Sequence, residues 1–393
     1  MSVDWQSLRA EFPALSGWTC LNTATFGQMP RRAVEAVNRH FARRDRAACM
    51  DFMQWFDDAD SIRALAARLV HCRPEDIAFI QNASSGFSLL LGGIDWKPGD
   101  RIVTFHNEFP NHYYHPSWLR RIGVEFVDAD YGNFRQAVTE RTRLVAVSTV
   151  NYTDGFRAPL QELAPWLHER GGLLYVDGTQ SVGALEFDIG RVQPDLLAVH
   201  AYKWLLSPNG AGFMYVSPRL RGWLPPNVIG WRSDRRWRNF ENLHHGEPEF
   251  SPDAERYEGG MVSFALLYAM AAAIEMELEI GPAAIERRVM ELAQGAREVL
   301  RNAGAELPSG RLPHYDSQIV AAAFPGADAR ALARGLQERR VLVSARHGNL
   351  RVSPHFYNDD SDLDRLAAAL AELGFTPRRT CFRTPPASCP PGE

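Results

Sequence analysis

The feature that most constrains the fold is a series of short apolar runs between residues 60 and 220, each bounded by Gly, Asp, Asn or Pro. They cover residues 77–80, 101–105, 124–127, 144–148, 173–176, 196–199 and 212–216. Each is nearly continuous in apolar residues and does not alternate apolar with polar, as expected of a strand buried on both faces. Helical patterns, such as residues 60–71, intervene with short turns. This order predicts an α/β domain built on a mostly parallel sheet with helices on both faces. Beyond it, a helical pattern runs over residues 263–279, breaks near Gly281-Pro282 and resumes through Arg301. A strand (317–324), a helix (328–339), two strands (341–344 and 350–353) and a last helix (361–373) then predict a smaller α+β C-terminal domain.

Composition narrows the partners. A net charge of −4 over 393 residues gives no electrostatic case for nucleic acid or an anionic membrane. The apolar stretch from Ser263 to Ile274 is too short to span a bilayer. The N-terminus, Met1-Ser2-Val3-Asp4-Trp5-Gln6, lacks the pattern of a secretory signal. Cys20, Cys49, Cys72, Cys381 and Cys389 form no CxxC pair, so neither a disulfide framework nor a metal site is expected. Cytoplasm is the expected compartment.

Of 43 cationic residues only two are lysines, Lys97 and Lys203; the rest are arginines. Arginine replaces lysine as a charge but cannot lose its proton near neutral pH to become a nucleophilic amine. Codon bias alone could leave two lysines behind. Lys97 lies in the turn Lys97-Pro98-Gly99-Asp100, whereas Lys203 lies in Ala201-Tyr202-Lys203-Trp204 just beyond the apolar run 196–199.

The strand 173–176 runs into Asp177-Gly178-Thr179-Gln180-Ser181-Val182-Gly183. In an open α/β sheet ligands gather at the carboxyl ends of strands, although a strand-end Asp taken alone is as readily a helix cap. Asp177 and Lys203 on adjacent strands would share one rim. That pair suits pyridoxal phosphate, which needs an amine to hold its aldehyde and a carboxylate to keep its ring nitrogen protonated. Asn82-Ala83-Ser84-Ser85-Gly86 follows a strand and opens a helical pattern, which suits a phosphate cradle as well as a plain helix cap. His106-Asn107-Glu108-Phe109-Pro110-Asn111-His112 offers Phe109 as a stacking face.

These residues resemble the class V aminotransferase group of fold-type I pyridoxal-phosphate enzymes, which holds cysteine desulfurases, isopenicillin N epimerase-like proteins, kynureninases and C–S lyases. The resemblance runs from Leu21-Asn22-Thr23-Ala24 to Arg351-Val352-Ser353-Pro354-His355-Phe356-Tyr357-Asn358. Its most specific part pairs Asp177-x-x-Gln180-x-x-Gly183 with Tyr202-Lys203-Trp204 and Pro208-x-Gly210. It implies an aspartate aminotransferase-like fold in which Lys203 forms the internal aldimine and moves protons, and Asp177 salt-bridges the ring nitrogen. It also implies that Gln180 bonds the phenolic oxygen, that Phe109 stacks on the ring, and that Ala83, Ser84 and His200 contact the phosphate. Arg351 would pair with the substrate α-carboxylate, and Asn151 or Tyr152 would line the substrate side. A homodimer is implied, with Gly260 reaching the neighbouring subunit's phosphate through its backbone, since Met261 stands where relatives place a threonine. The expected divisions are an N-terminal segment packing on the small domain (1–30), the large domain (31–262), the connecting helix and small domain (263–375) and a mobile Pro-rich tail (376–393).

The loop Ser344-Ala345-Arg346-His347-Gly348-Asn349 has no cysteine where desulfurases carry their nucleophile, which argues against persulfide chemistry of that type. Tyr113, Tyr114, His115, Trp231, Arg232 and His347 are further candidates to shape the substrate pocket. The expected function is pyridoxal-phosphate chemistry on an α-amino acid or amine. Transamination is placed first, with β-elimination by a C–S lyase and racemisation or epimerisation as alternatives. A silent relative of the fold would be expected to lose Lys203 or Asp177, and both are present. A dinucleotide oxidoreductase is disfavoured, because no G-x-G-x-x-G follows the first strand.

Overall fold

The computed structural model describes residues 3–243, 246–308 and 314–376. The chain enters through β1 (Thr19–Cys20) and then builds a seven-stranded sheet from β2 (Ile77–Ile80), β3 (Arg101–Phe105), β4 (Glu125–Ala129), β5 (Thr142–Ser148), β6 (Leu173–Asp177), β7 (Leu196–His200) and β8 (Gly212–Val216). The strand order is β2-β8-β7-β6-β5-β3-β4. Neighbours from β7 to β4 pair in parallel, and β8 alone runs antiparallel to the rest. This is the mostly parallel sheet that the apolar runs predict.

Both faces of the sheet are buried, so successive residues of each strand feed opposite cores. Val145, Val147, Leu174, Val176, Leu197 and Val199 belong to one core. Their neighbours Leu144, Ala146, Leu173, Tyr175, Leu196 and Ala198 belong to the other. Neither face is free to carry a ligand, which leaves the strand ends to do so.

The long helix Phe264–Ile280 stops at Gly281, whose φ of 94° is open to glycine, and Pro282 opens the next helix, Pro282–Asn302, at its first turn. Beyond it lie β9 (Val320–Ala322), β10 (Val341–Leu342), β11 (Ser344–Arg346) and β12 (Asn349–Val352), with helices Ala329–Glu338 and Asp360–Glu372. β12 is the middle strand of an antiparallel sheet, flanked by β11 and β9.

Two expectations are corrected. The strand expected over 317–324 is reduced to β9, because Ser317 and Gln318 turn their side chains to the backbone of Gly155 and Gln180. The strand expected over 341–344 divides into β10, which pairs in parallel with β1, and β11, which pairs with β12. The N-terminal segment reaches the C-terminal region at several points: Thr19 and Cys20 face Val341 and Leu342, Asn22 bridges Ser353, and Arg9 pairs with Asp362 at 2.7 Å. From residue 377 on, the expected tail lies outside the described residues.

Candidate active site

Three parallel strands bring their carboxyl ends to one rim. Ser148 of β5 stands beside Asp177 of β6, and Asp177 beside Ala198 of β7. The chain leaves β7 at His200 and turns at once, so Lys203 returns over the same rim. The turn fits tightly. A Cβ on Gly27 would lie 1.9 Å from the Lys203 carbonyl oxygen, and one on Gly183 2.4 Å from that of Trp204. Only glycine allows either approach, and Gly183 also has a φ of 103°.

A cavity at this rim is lined by Asn82, Ala83, Ser84, Phe109, Asn111, Ser148, Tyr152, Asp177, Thr179, Gln180, His200, Tyr202 and Lys203. It thus gathers side chains from five separate parts of the sequence. Lys203 is buried, and its Nζ lies 5.7 Å from the Phe109 ring centre and 5.4 Å from that of Tyr202. Burial, with Arg351 and Arg346 adding to it against the attraction of Asp177, pushes the Lys203 ammonium down to about 7. A large fraction of this amine is therefore unprotonated at neutral pH, as a nucleophile requires.

Asp177 is 6% exposed; its Oδ1 accepts from the backbone N–H of Thr179 at 2.9 Å. The Thr179 hydroxyl in turn accepts from the His200 N–H at 3.1 Å. Burial, reinforced by Lys203, holds the His200 imidazole down at about 4, so it is neutral, and among the described residues its buried Nε2 has no partner. Ala83 begins the helix Ala83–Gly93, capped by Asn82, whose Oδ1 accepts from the Ser85 N–H at 2.9 Å. The helix start offers N–H groups and a partial positive charge.

The donor set fits pyridoxal phosphate. An amine with a lowered pKa, a buried carboxylate, an aromatic face, an orphaned imidazole nitrogen and a helix N-terminus converge on one cavity. Lys203, Asp177, Phe109, His200 and Ala83 with Ser84 are the residues that would hold it.

Gln180 lines the cavity, but its amide is tied to the surrounding shell. Nε2 donates to the Ala24 carbonyl at 3.1 Å, and Oε1 accepts from Trp204 Nε1 at 2.9 Å. One amide hydrogen stays free for a ligand oxygen. Tyr152 lines the cavity edge-on to Phe109, with ring centres 5.3 Å apart. Asn151 is not among the lining residues. Its amide is taken up by the Asn107 carbonyl and by the N–H and hydroxyl of Thr153.

Arg351, in the middle of β12, is 1% exposed. Nε donates to Ser344 Oγ at 3.1 Å, Nη1 to the Tyr152 carbonyl at 2.5 Å and Nη2 to Thr25 Oγ1 at 2.6 Å. One hydrogen remains on each terminal nitrogen, the fork that grips a carboxylate. Among the described residues no carboxylate lies within 4.0 Å of it, and burial beside Arg346 pushes its pKa down to about 9.

Gly260 does not line the cavity of its own chain; its carbonyl accepts from Arg232 Nη1 at 3.2 Å. Trp231 and Arg232, expected near the substrate, pack instead with Phe56 and Trp237, and Arg232 pairs with Glu255 and Glu258. Sequence reasoning assigned no role to Asn111, Ser148, Thr179, Tyr202, Glu108 or His112. The last two are buried against the rim: Glu108 accepts from Ser148 N–H at 2.7 Å and from its hydroxyl at 2.5 Å. Glu108, Asn111 and His112 lie in the quoted stretch around Phe109, but nothing in their spacing shows that the chain folds them under Asp177.

The chain is similar to known proteins over nearly its whole length. It is 29% identical over 395 residues to isopenicillin N epimerase of Streptomyces clavuligerus, covering 94% of this chain and 98% of the relative. It is 23% identical over 402 residues to a probable cysteine desulfurase of Methanothermobacter thermautotrophicus, covering 94% and 98%. Among solved structures, the apo cysteine desulfurase of Thermococcus onnurineus superposes with a TM-score of 0.84 at 21% identity, over 95% of this chain and 98% of that one. C-DES with glycine covalently linked to its PLP cofactor gives 0.82 at 22% identity, over 93% and 99%. C-DES bound to cysteine persulfide, in which it is described as a cystine C–S lyase, also gives 0.82. These likenesses show the fold expected from the sequence, fold type I of the pyridoxal-phosphate enzymes. The sequence model of the family Aminotransferase class-V matches residues 22–366. The chain belongs to the class-V aminotransferase family.

Proposed function

We propose that the protein is a pyridoxal-phosphate enzyme acting on α-amino acids, with Lys203 as the amine that holds the cofactor and then moves the substrate proton. The observation that carries this reading is the buried Lys203 amine, held near neutrality on the same rim as the buried Asp177 carboxylate. When bound, the cofactor supplies an electrophilic aldehyde and a ring that takes up the electron pair released at Cα. Asp177 would hold a proton at the ring nitrogen, Phe109 would pack on the ring, and His200 with the start of the Ala83–Gly93 helix would receive the phosphate. Arg351 would pair with the α-carboxylate and so orient the substrate.

Among these reactions the lining favours transamination. Among the described residues Lys203 is the one amine that lines the cavity. A proton taken and returned by Lys203 alone stays on one side, which suits transfer between two carbons. A second reading, β-elimination by a C–S lyase, shares the proton removal by Lys203 and is supported by the likeness to the cystine C–S lyase C-DES. Incubating the cofactor-loaded protein with amino acids tests both. Keto-acid formation that depends on an added amino acceptor supports transamination; pyruvate and ammonia without an acceptor, with cysteine persulfide from cystine or sulfide from cysteine, support elimination. A racemised substrate with neither product would overturn both.

Exposed apolar side chains, including Tyr114 at 74% and Met261 at 60%, support a homodimer in which a second copy covers them. Among the described residues no helix is long and apolar enough to cross a membrane.

A further inference from the structure

Beneath the cavity, His112 lies between two carboxylates. It sits in the helix Asn111–Leu119 and is fully buried. Its Nδ1 is 3.4 Å from Glu108 Oε2 and its Nε2 is 3.9 Å from Asp177 Oδ2. Among the described residues neither nitrogen has a hydrogen-bond partner. Phe87 and Tyr175 enclose the ring, with centres 5.4 Å and 5.6 Å away. The Tyr175 hydroxyl faces the Ala83 carbonyl at 3.4 Å and offers His112 nothing. Buried imidazole nitrogens are rarely left unpaired. One carboxylate oxygen lies within 4.0 Å of each ring nitrogen.

We propose that His112 is a positioning residue for Asp177: it turns an Nε2–H toward the Asp177 carboxylate, and Glu108 on its other side fixes that tautomer. This rests on the cofactor reading above and adds to it a relay from Glu108 through His112 to Asp177. A neutral imidazole carries one N–H and one lone pair. A lone pair aimed at Asp177 would repel its charge, so the favourable states place a hydrogen on Nε2. Nδ1 then either donates to ionised Glu108 or accepts a proton that Glu108 carries. Burial raises the Glu108 carboxyl and Asp177 raises it further, while His112 and the Ser148 contacts lower it. In both arrangements Asp177 faces an N–H. Glu108 itself is anchored by its two bonds from Ser148. This chain of carboxylate, imidazole and carboxylate orients Asp177 in the way that an outer-shell partner orients a ligand.

The consequence is electronic. An oriented Asp177 would help keep a bound cofactor's ring nitrogen protonated, which would withdraw electrons toward the ring and lower the basicity of the nitrogen that Lys203 supplies. The test is made on the protein loaded with pyridoxal phosphate, by titrating the visible cofactor band with pH and by measuring cofactor affinity from the same band. His112→Phe, which keeps a ring but has no N–H, is expected to move the midpoint up by about one pH unit and to weaken cofactor binding about tenfold. His112→Gln, whose terminal amide takes the place of Nε2 and can still donate toward Asp177, is expected to stay near the parent. Should His112→Phe fail to fold, Glu108→Leu removes the partner of Nδ1, along with the acceptor of the Ser148 N–H and hydroxyl, and is expected to shift the midpoint in the same direction. A midpoint that does not move in the folded variant, or that moves equally in His112→Phe and His112→Gln, would overturn the relay. Absence of a borohydride-sensitive band in the parent would instead reject the cofactor reading itself.

Discussion

Arg351 and Thr25 meet across 326 positions of sequence, the guanidinium Nη2 donating to Thr25 Oγ1 at 2.6 Å. The contact joins the N-terminal segment to the middle strand of the C-terminal sheet, and the Tyr152 carbonyl from the large sheet closes on the same guanidinium. Three regions of chain thus fix one fork; Arg351 is not itself a lining residue of the cavity, but Tyr152, which it holds, is. A fixed guanidinium is worth more to a carboxylate than a mobile one, because little rotamer freedom remains to be lost.

Removing that fork should discriminate between substrates. Arg351→Ala is expected to lower kcat/KM for amino acids by about a hundredfold or more, the effect of losing a buried charge partner. The matching amines, which lack the carboxylate, should be nearly unaffected. Thr25→Val removes one support and leaves the fork, so KM for amino acids should rise by only about fivefold, near 1 kcal/mol. Steady-state kinetics on paired amino acids and amines measures both. Equal losses on acids and amines would remove Arg351 from substrate recognition.

Neutralising Asp177 should leave the cofactor bound and the chemistry slow. A charge-paired hydrogen bond lost from a buried site costs about 3–5 kcal/mol, which is a hundredfold or more in rate. Asp177→Asn, assayed with cofactor at saturation, is therefore expected to fall in kcat by at least that factor. Near-parental turnover would show that Asp177 does not hold the ring nitrogen.

The near-neutral Lys203 amine makes a kinetic prediction for the cofactor-free protein. The free amine is the species that attacks the aldehyde, and burial places its pKa at about 7. Recombination with pyridoxal phosphate should accelerate as pH rises through 7 and level off above it. An ordinary exposed lysine, at about 10.4, would give a rate still rising tenfold per unit at pH 9. Stopped-flow absorbance between pH 6 and 9, values chosen to span about one unit or more on each side of neutrality, distinguishes the two.

Much of this architecture is legible in the sequence because strands buried on two faces need continuous apolar runs, as in Leu173 to Val176 and Leu196 to Val199. Their ends are less legible. β5 begins at Thr142 and β4 extends through Asp128 to Ala129, since the ladder continues through polar residues. The helix Arg31–Ala47 gives little apolar signal, burying only Ala33, Ala36 and His40. In the site, Lys203, Asp177 and Arg351 stand out by residue type and motif. Glu108 and His112 do not, because their significance lies in Ser148 and Asp177, which the chain brings to them only on folding.

Tightly packed glycine should also be needed beneath Lys203. Gly183→Ala would press its Cβ against the backbone of Trp204 and Leu205 in a left-handed conformation. A loss of about 1–3 kcal/mol is expected, read as a lowered thermal midpoint with weakened cofactor retention. An unchanged midpoint would show that the turn holding Lys203 adapts freely.

The most direct test of the account is to load the protein with pyridoxal phosphate, reduce it with borohydride and map the labelled residue by peptide mass spectrometry. Lys97 is the only other lysine; it is exposed, and its Nζ pairs with Asp95 at 2.6 Å. The account predicts the cofactor fixed on Lys203, with Lys97→Ala labelled as fully as the parent and Lys203→Ala not labelled. Label on any residue other than Lys203, or a parent protein that takes up none, would contradict it.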